Sequence, residues 1–594
     1  MPFFVHYSVM LAARRHLYRF TAPDGSPSKR CLASPCAVLA MLAISGSATS
    51  QTTTLPGYFV ETVITGLSLP TTMAFVDDDE LLVLEKNSGR VQHYLNGVFQ
   101  GTAIDLDVST TSERGLLGIC LHPDFAGNGF VYLYYSLASF QGGTWLDNRV
   151  ERFVWNGSVL SFESMIVVFP FDPAQSNGPN HDGGIIQIGP DDKLYVITGD
   201  LNRGTFGNPR IEQNTHTTTV AGVGGIARLN LDGSIPGDNP FVSEGDPRIR
   251  ALFAYGIRNS FGLTFDPLTG RLWYTENGPN VYDELNIAEA GMNSGWLKIM
   301  GPDSRNATYS RNNNTPFNAA DLIYLPGAFY QDPLFSWLRP IGVTSVRFLS
   351  GIKFAPSFRD WVLVGDNNNG QLYLFEPNAN RDGVEPRNGT GDRVADTTTE
   401  RNQYVVGTGW GVVTDFQIGP DGYLYIVSLT RGAVYRIRPV FDPFVPESFQ
   451  IFRGLLLSGN LQSLAASDDD RLVVRPWIVI NSSVPPVQVI VEATAPVSAT
   501  TELRFKLEAS TDIFGIRQWI ELFNFTTGMY EEVDVRMATT SDSAIELTFL
   551  AGASRFIDPG TRKMRARLKW KEAGPIISYP WQARIDQIVW TVRV

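Results

Sequence analysis

The chain is poor in the residues that most often carry chemistry. Its 594 residues include 3 Cys and 6 His. Cys31 and Cys36 fall within the first fifty residues, leaving Cys120 alone in the apolar run Leu116-Leu-Gly-Ile-Cys-Leu121. A single thiol excludes an intrachain disulfide beyond residue 50, so a packed core must hold the chain together. Its apolar setting, with no adjacent base, also disfavours a nucleophilic role. No apolar stretch reaches the roughly 20 residues that a membrane span needs. Positive charge is in deficit: 48 Lys+Arg against 60 Asp+Glu give a net charge of −12. Nucleic-acid binding requires a basic face, so that class is set aside. There is no Gly-x-Ser-x-Gly elbow, phosphate-binding loop, Cys-x-x-Cys or His-Glu-x-x-His. Gly222-Val-Gly-Gly-Ile-Ala227 matches a dinucleotide fingerprint only in letters, because it opens a strand. Asp77-Asp-Asp79 and Asp468-Asp-Asp470 lack the spacing of an EF-hand loop and read as turns.

What is present begins with a targeting pattern. Residues 1–50 carry Arg14, Arg15, Arg19, Lys29 and Arg30, then the apolar stretch Cys36–Ile44, then small residues to Ser50. That order is a secretory leader, implying a secreted or periplasmic protein; a membrane anchor is the other reading of the same stretch.

The body repeats itself. Six segments share an apolar strand, a turn that often reads Pro-Asp, a second strand rich in Leu, Tyr and Val, and a third strand opened by Gly. Ile185-Ile-Gln-Ile-Gly-Pro-Asp-Asp-Lys-Leu-Tyr-Val196 and Phe416-Gln-Ile-Gly-Pro-Asp-Gly-Tyr-Leu-Tyr-Ile-Val427 are the clearest pair. The turn positions Val76, Pro123, Pro190, Pro267, Pro356 and Pro420 are 47, 67, 77, 89 and 64 residues apart. A bare propeller blade takes about 40–50 residues, so the middle units carry insertions, which usually collect on a binding face. The expected fold is all-β: a six-bladed β-propeller over residues 56–440. After a Pro-rich linker at 441–447, residues 448–594 change character and are expected to form a smaller β-sandwich-like accessory domain. It contains no His and no recognisable catalytic constellation, and it suggests contact with protein or polysaccharide.

Four histidines follow the leader. His93 sits in a strand, His122 in a Pro-Asp turn and His216 among threonines. His181 lies in Asn177-Gly-Pro-Asn-His-Asp-Gly-Gly184, a Gly-rich approach to an inner strand. There an imidazole can act as general base or simply bond the loop backbone.

From about Leu69 to Pro439 the motifs, in order, resemble the soluble quinoprotein glucose/sorbosone dehydrogenases. They are Glu113-Arg-Gly-Leu-Leu-Gly118, His122-Pro-Asp-Phe125, Asn180-His-Asp-Gly-Gly184 and Leu229–Pro236, then Arg258-Asn-Ser-Phe-Gly262, Asn277-Gly-Pro-Asn280 and Asp283-Glu-Leu-Asn286. The resemblance implies a six-bladed propeller that oxidises an aldose at its anomeric carbon, passing hydride to pyrroloquinoline quinone beside calcium. It implies His181 as general base with Asp200 orienting it, and Glu113, Arg258 and Asn259 against the quinone. Gly278 and Pro279 would offer carbonyl oxygens to calcium, and Glu284 would be a ligand of a further calcium. Sugar-oxidising members place a Lys where this chain has Asn368 and arginines where it has Val412 and Thr414. A non-redox propeller binding glycan or protein therefore stays open beside the sugar dehydrogenase, as does a metal-assisted hydrolase.

Overall fold

The structure is a computed structural model that describes residues 51–169, 178–202, 210–310, 315–479, 483–574 and 581–594. The expected leader at 1–50, with Cys31 and Cys36, lies outside the described residues.

The repeat seen in the sequence folds the same way each time. In the third unit, Ile186–Ile188 and Leu194–Thr198 pair across the turn at Gly189–Lys193, and Gly225–Leu229 adds the third strand. Gly189 N donates to Lys193 O at 2.9 Å, and Asp191 accepts from both Tyr195 OH and Arg228 Nε. The sixth unit repeats these contacts: Gly419 N to Tyr423 O, with Asp421 accepting from Tyr425 OH and Arg436 Nη1. A short turn thus carries its own acid, which ties the second and third strands together from beneath.

Six sheets of this plan form the blades. Their innermost strands are Pro70–Asp77, Leu116–Leu121, Ile186–Ile188, Leu263–Phe265, Val343–Phe348 and Val413–Ile418. All six line one central cavity of about 390 Å³. Aromatic side chains join neighbouring blades: Phe265 packs edge-on against Tyr195 at 5.1 Å, and Phe75 against Tyr425 at 4.8 Å. The second of these contacts joins the last blade to the first. The last blade is completed from the other end of the sequence, by Tyr58–Thr65 pairing antiparallel with Ala433–Pro439. The expected all-β six-bladed propeller is therefore the observed fold.

Two further sheets form the sandwich. One contains Leu455–Ser458, Leu472–Arg475, Ala583–Arg593, Leu503–Thr511 and Ser543–Phe549. The other contains Ser448–Arg453, Val487–Thr494, Lys563–Glu572, Ile516–Asn524 and Met529–Met537. Alternating apolar residues from both faces, with Phe505, Trp570, Trp581 and Trp590, fill one core between them.

The segment 441–447 differs from the expected linker. Phe441–Phe444 is a strand paired with Trp590–Arg593, so the connection is already part of the sandwich. Asp442 explains why it is ordered there. Its buried carboxylate receives Lys353 Nζ at 2.6 Å, Arg438 Nη2 at 3.2 Å and the Tyr423 hydroxyl, all from the propeller. Removing one partner of a buried ionic group typically costs about 3–5 kcal/mol. Asp442→Ala is therefore expected to lower stability by a few kcal/mol. It should also open residues 439–448 to limited proteolysis, whereas the unaltered chain resists cleavage there.

Candidate functional site

The six loops that lead into the inner strands emerge at one mouth of the central cavity, together with the loops joining second to third strands. The sequence-predicted residues other than Glu284, which lies in the strand Asp283–Ala288, are on these loops in neighbouring blades. Glu113 precedes the inner strand of blade two, His181 that of blade three, and Arg258 and Asn259 that of blade four. Asp200 follows Leu194–Thr198, and Gly278 and Pro279 follow Leu272–Glu276.

One carboxylate draws three blades together. Glu113 Oε2 accepts from the main-chain N–H of His181 at 2.6 Å and from Asn259 Nδ2 at 3.1 Å. His181 adopts φ +63°, a left-handed conformation that costs a non-glycine residue energy and clusters at functional sites. Gly199 makes the approach possible: a Cβ there would lie 2.2 Å from His181 O and 2.9 Å from Arg258 O. His181 is 8% exposed, and its Nδ1 lies 2.5 Å from Asp200 Oδ1.

Asp200 is fully buried, and its other oxygen accepts from Trp296 Nε1 at 2.7 Å and Gln213 Nε2 at 2.9 Å. Burial alone would raise its carboxyl. The charge and hydrogen bond of His181, the charge of Arg258 and the Trp296 N–H outweigh burial and hold it below the ordinary carboxylate range. With its carboxyl held low, Asp200 anchors the ring through Nδ1 and can balance positive charge on it. Gln213 and Trp296 escaped the sequence reading. Neither stands in a recognisable motif, and only folding brings them to Asp200.

Arg258 stacks 5.4 Å above the Trp296 ring and donates from Nη1 to Asn277 O at 2.9 Å. Its Nε, and Oδ1 of Asn259, are buried with no protein partner among the described residues. The orphaned Arg258 donor suits a ligand carbonyl or carboxylate oxygen, and the orphaned Asn259 oxygen suits a ligand N–H or O–H. Gly278 must be glycine, because a Cβ would lie 2.1 Å from Val281 O and 2.3 Å from Tyr282 O. Its N–H donates to Asp283 Oδ1, whose partner oxygen accepts from Gly342 N. Glu284 is not brought to this loop. Successive strand residues face opposite ways, and its oxygens accept from Gly301 N at 2.6 Å and Asn286 Nδ2 at 3.0 Å. Burial pushes Glu284 up to about 7 and Asp283 up to about 6.

On the opposite rim, Asn368 is exposed and donates to Pro340 O. Val412 N donates to Thr430 Oγ1, and Thr414 Oγ1 donates to Pro70 O, into the seam with blade one. The other histidines among the described residues hold structure: His93 Nε2 lies 2.6 Å from Glu80, while Nδ1 of His122 and of His216 accept nearby main-chain N–H groups. Burial drives the Cys120 thiol far above its ordinary value, which keeps it inert.

Asp182, next to His181 in the chain, carries no signal in the sequence reading. It is fully buried, accepts from Asn148 Nδ2 at 2.9 Å, and lies 3.6 Å from Arg114 Nε. Burial dominates and raises its carboxyl to about 7. The folded chain then holds a proton that the unfolded chain loses near pH 4. Stability therefore falls as pH rises from about 4 to 7, by about 1.4 kcal/mol per unit for this group, and levels off above. The thermal midpoint is expected to decline between pH 5 and 7, with a shallower slope in Asp182→Asn.

The chain is similar to several known proteins. The uncharacterized protein slr1608 of Synechocystis is 30% identical over 445 residues, covering 69% of this chain and 96% of the relative. Aldose sugar dehydrogenase YliI of Escherichia coli is 26% identical over 391 residues, covering 64% and 92%. Quinoprotein glucose dehydrogenase B of Acinetobacter calcoaceticus is 24% identical over 443 residues, covering 69% and 83%. The family described as Glucose / Sorbosone dehydrogenase matches residues 67–436, well over half of the sequence. With its motifs meeting at one mouth of a six-bladed propeller, the chain belongs to the glucose/sorbosone dehydrogenase family.

Proposed function

We propose that the protein is an exported sugar dehydrogenase that oxidises an aldose at the anomeric carbon. The observation that carries this reading is the buried His181–Asp200 pair, opening beside the orphaned polar atoms of Arg258 and Asn259. His181 Nε2 takes the proton of the anomeric hydroxyl as the C1–H bond breaks. Asp200 holds the ring in orientation and balances the imidazolium charge. The sugar leaves as a lactone, two electrons and two hydrogens poorer. Pyrroloquinoline quinone, when bound, supplies the hydride acceptor. Arg258 and Asn259 would hold it, and Glu113 would fix the distance between Asn259 and the base. The carbonyl oxygens of Gly278 and Pro279 would hold calcium, a hard cation that prefers oxygen. Export rests on the leader pattern. Among the described residues, no helix is long and apolar enough to cross a membrane. The sandwich would serve as an accessory module contacting protein or polysaccharide.

A second reading, a non-redox propeller that binds glycan or protein, rests on one observation. Asn368, Val412 and Thr414 are neutral, so that rim offers no charge at these positions to a quinone carboxylate.

Aldose oxidation with an artificial electron acceptor, with quinone and calcium supplied, decides between them. His181→Ala is expected to lower the rate by about 10²–10⁴-fold, the usual worth of a general base. Equal rates in the unaltered protein and the variant would make His181 structural. A folded, quinone-saturated protein without activity would favour the binding reading. Asn368→Lys adds one charge-assisted contact of about 1.5–3 kcal/mol. Quinone titration of this variant is expected to show binding tighter by roughly tenfold or more.

A further inference from the structure

The sandwich holds an oxygen cluster that the propeller chemistry does not use. Asp469 lies in the loop before Leu472–Arg475, Asp542 just before Ser543–Phe549, and Asp586 within Ala583–Arg593. One carboxylate oxygen of each lies within 4.8 Å of the others.

Acids gathered on loops are common, and Asp586 is what sets this cluster apart. Its strand runs beside Leu503–Thr511 with Glu508 opposite Gln587, then slips so that Ala509 faces Ile585. Asp586 is the residue left over, a β-bulge. Bulges re-aim one side chain against the alternation of the strand. Here Ile585 and Asp586 are both buried, where strict alternation would send one outward. Asp586 is 2% exposed, and its Oδ1 has no hydrogen-bond donor among the described residues. Burial, with the charges of Glu508 and Asp542, raises its carboxyl, outweighing the charge of Arg471 and a main-chain N–H of Asp468. A buried carboxylate oxygen without a hydrogen-bond donor is costly, and native chains rarely keep one unused.

The nearby cation, Arg471, does not meet that need. Its Nε donates to Asp542 Oδ2 at 2.8 Å and its Nη2 pairs with Asp469. No hydrogen bond or ion pair joins it to Asp586 among the described residues. The other oxygen of Asp542 accepts from Ser510 Oγ at 2.7 Å. One positive charge thus faces three carboxylates, and the orphaned oxygen belongs to the most buried of them.

We propose that Asp469, Asp542 and Asp586 form a calcium site in the sandwich, separate from the propeller mouth, with Asp586 Oδ1 as its innermost ligand. An all-oxygen, anionic donor set selects a hard divalent cation. Calcium accepts an irregular set of oxygens at about 2.3–2.6 Å, whereas magnesium demands near-octahedral geometry at about 2.0–2.1 Å, which three carboxylates on two loops and a bulged strand suit less well. Arg471, on the exposed side, yields part of its hold on Asp542 and Asp469 when the ion enters. Bound calcium would pin the loop at Asp469 and the turn at Asp542 to the bulged strand, and so stabilise the folded state by mass action.

Calorimetric titration of the chelator-treated full chain with calcium chloride tests this, because the readout is a difference between variants and does not depend on the propeller site. Asp586→Asn is expected to bind one calcium ion fewer than the unaltered chain, or that ion at least tenfold more weakly, with aldose oxidation unchanged. Asp542→Asn provides the same comparison should the first variant fail to fold. Equal stoichiometry and affinity in a folded variant and the unaltered chain would overturn the proposal, as would an unaltered chain that binds no calcium. Arg471→Gln separates the roles of the two cations. Loss of its thermal midpoint without calcium and recovery with calcium supports a metal site. A loss that calcium does not restore would mean that Arg471 alone serves the cluster, and would overturn it.

Discussion

Closure of the ring is the constraint on which the rest of the structure depends. Tyr58–Thr65 adds to the edge of Ala433–Pro439, so the first part of the described chain supplies the last strand of the last blade. An unpaired edge there would leave a row of main-chain donors and acceptors in water and open to misplaced pairing. The same register sets the last blade against the first. Phe75 then packs on Tyr425 as Phe265 packs on Tyr195 between blades three and four. A repeating contact that returns to its starting point distributes the angular fit over every blade. Because the closing pair is distant in sequence, it is also the contact whose loop entropy is largest.

The site depends on that closure. Its residues are carried by separate blades, and each loop would be free to move if the inner strands were not held around a shared cavity. Glu113 shows how the loops are then joined: a single oxygen of blade two takes an N–H from blade three and an amide from blade four. The strained φ of His181 is tolerable for the same reason, since Gly199, Glu113 and Asp200 hold its backbone and ring from three sides. Strain of this kind survives only where surrounding structure over-determines the position.

Burial gives neighbouring acids opposite tasks. Asp200 and Asp182 are both fully buried and flank the same histidine, yet one is held ionised and the other is pushed toward neutrality. The difference lies in what faces them. Asp200 meets an imidazole, an indole N–H and an amide. Asp182 meets one amide and a guanidinium at 3.6 Å, and keeps an oxygen without a partner. Near the predicted calcium loop, Asp283 and Glu284 follow the second pattern, their carboxyls raised mainly by burial. Charge at this mouth is therefore a product of environment more than of composition.

Much of the architecture could be read before any coordinates. Alternating apolar residues between Pro-Asp turns marked the strands, and their sixfold recurrence marked the blades, because strand periodicity and turn chemistry are local properties. The order of motifs also pointed to His181, Asp200, Arg258 and Asn259 together. The segment 441–447 was misjudged because prolines read as a linker, while the contacts that order it, from Lys353, Tyr423 and Arg438, come from distant positions. Glu284, which the resemblance implies as a ligand of a further calcium, faces away from the loop that Asp283 serves and bonds Gly301 N and Asn286 Nδ2. Gln213, Trp296 and Asp182 carried no local signal at all. The sequence by itself determined the strands, the turns, the count of blades and the chemical types available at their ends. Only the tertiary structure decided which of those ends meet, which acids lose water and which keep a counter-charge, because solvation and long-range pairing exist only once the ring has closed.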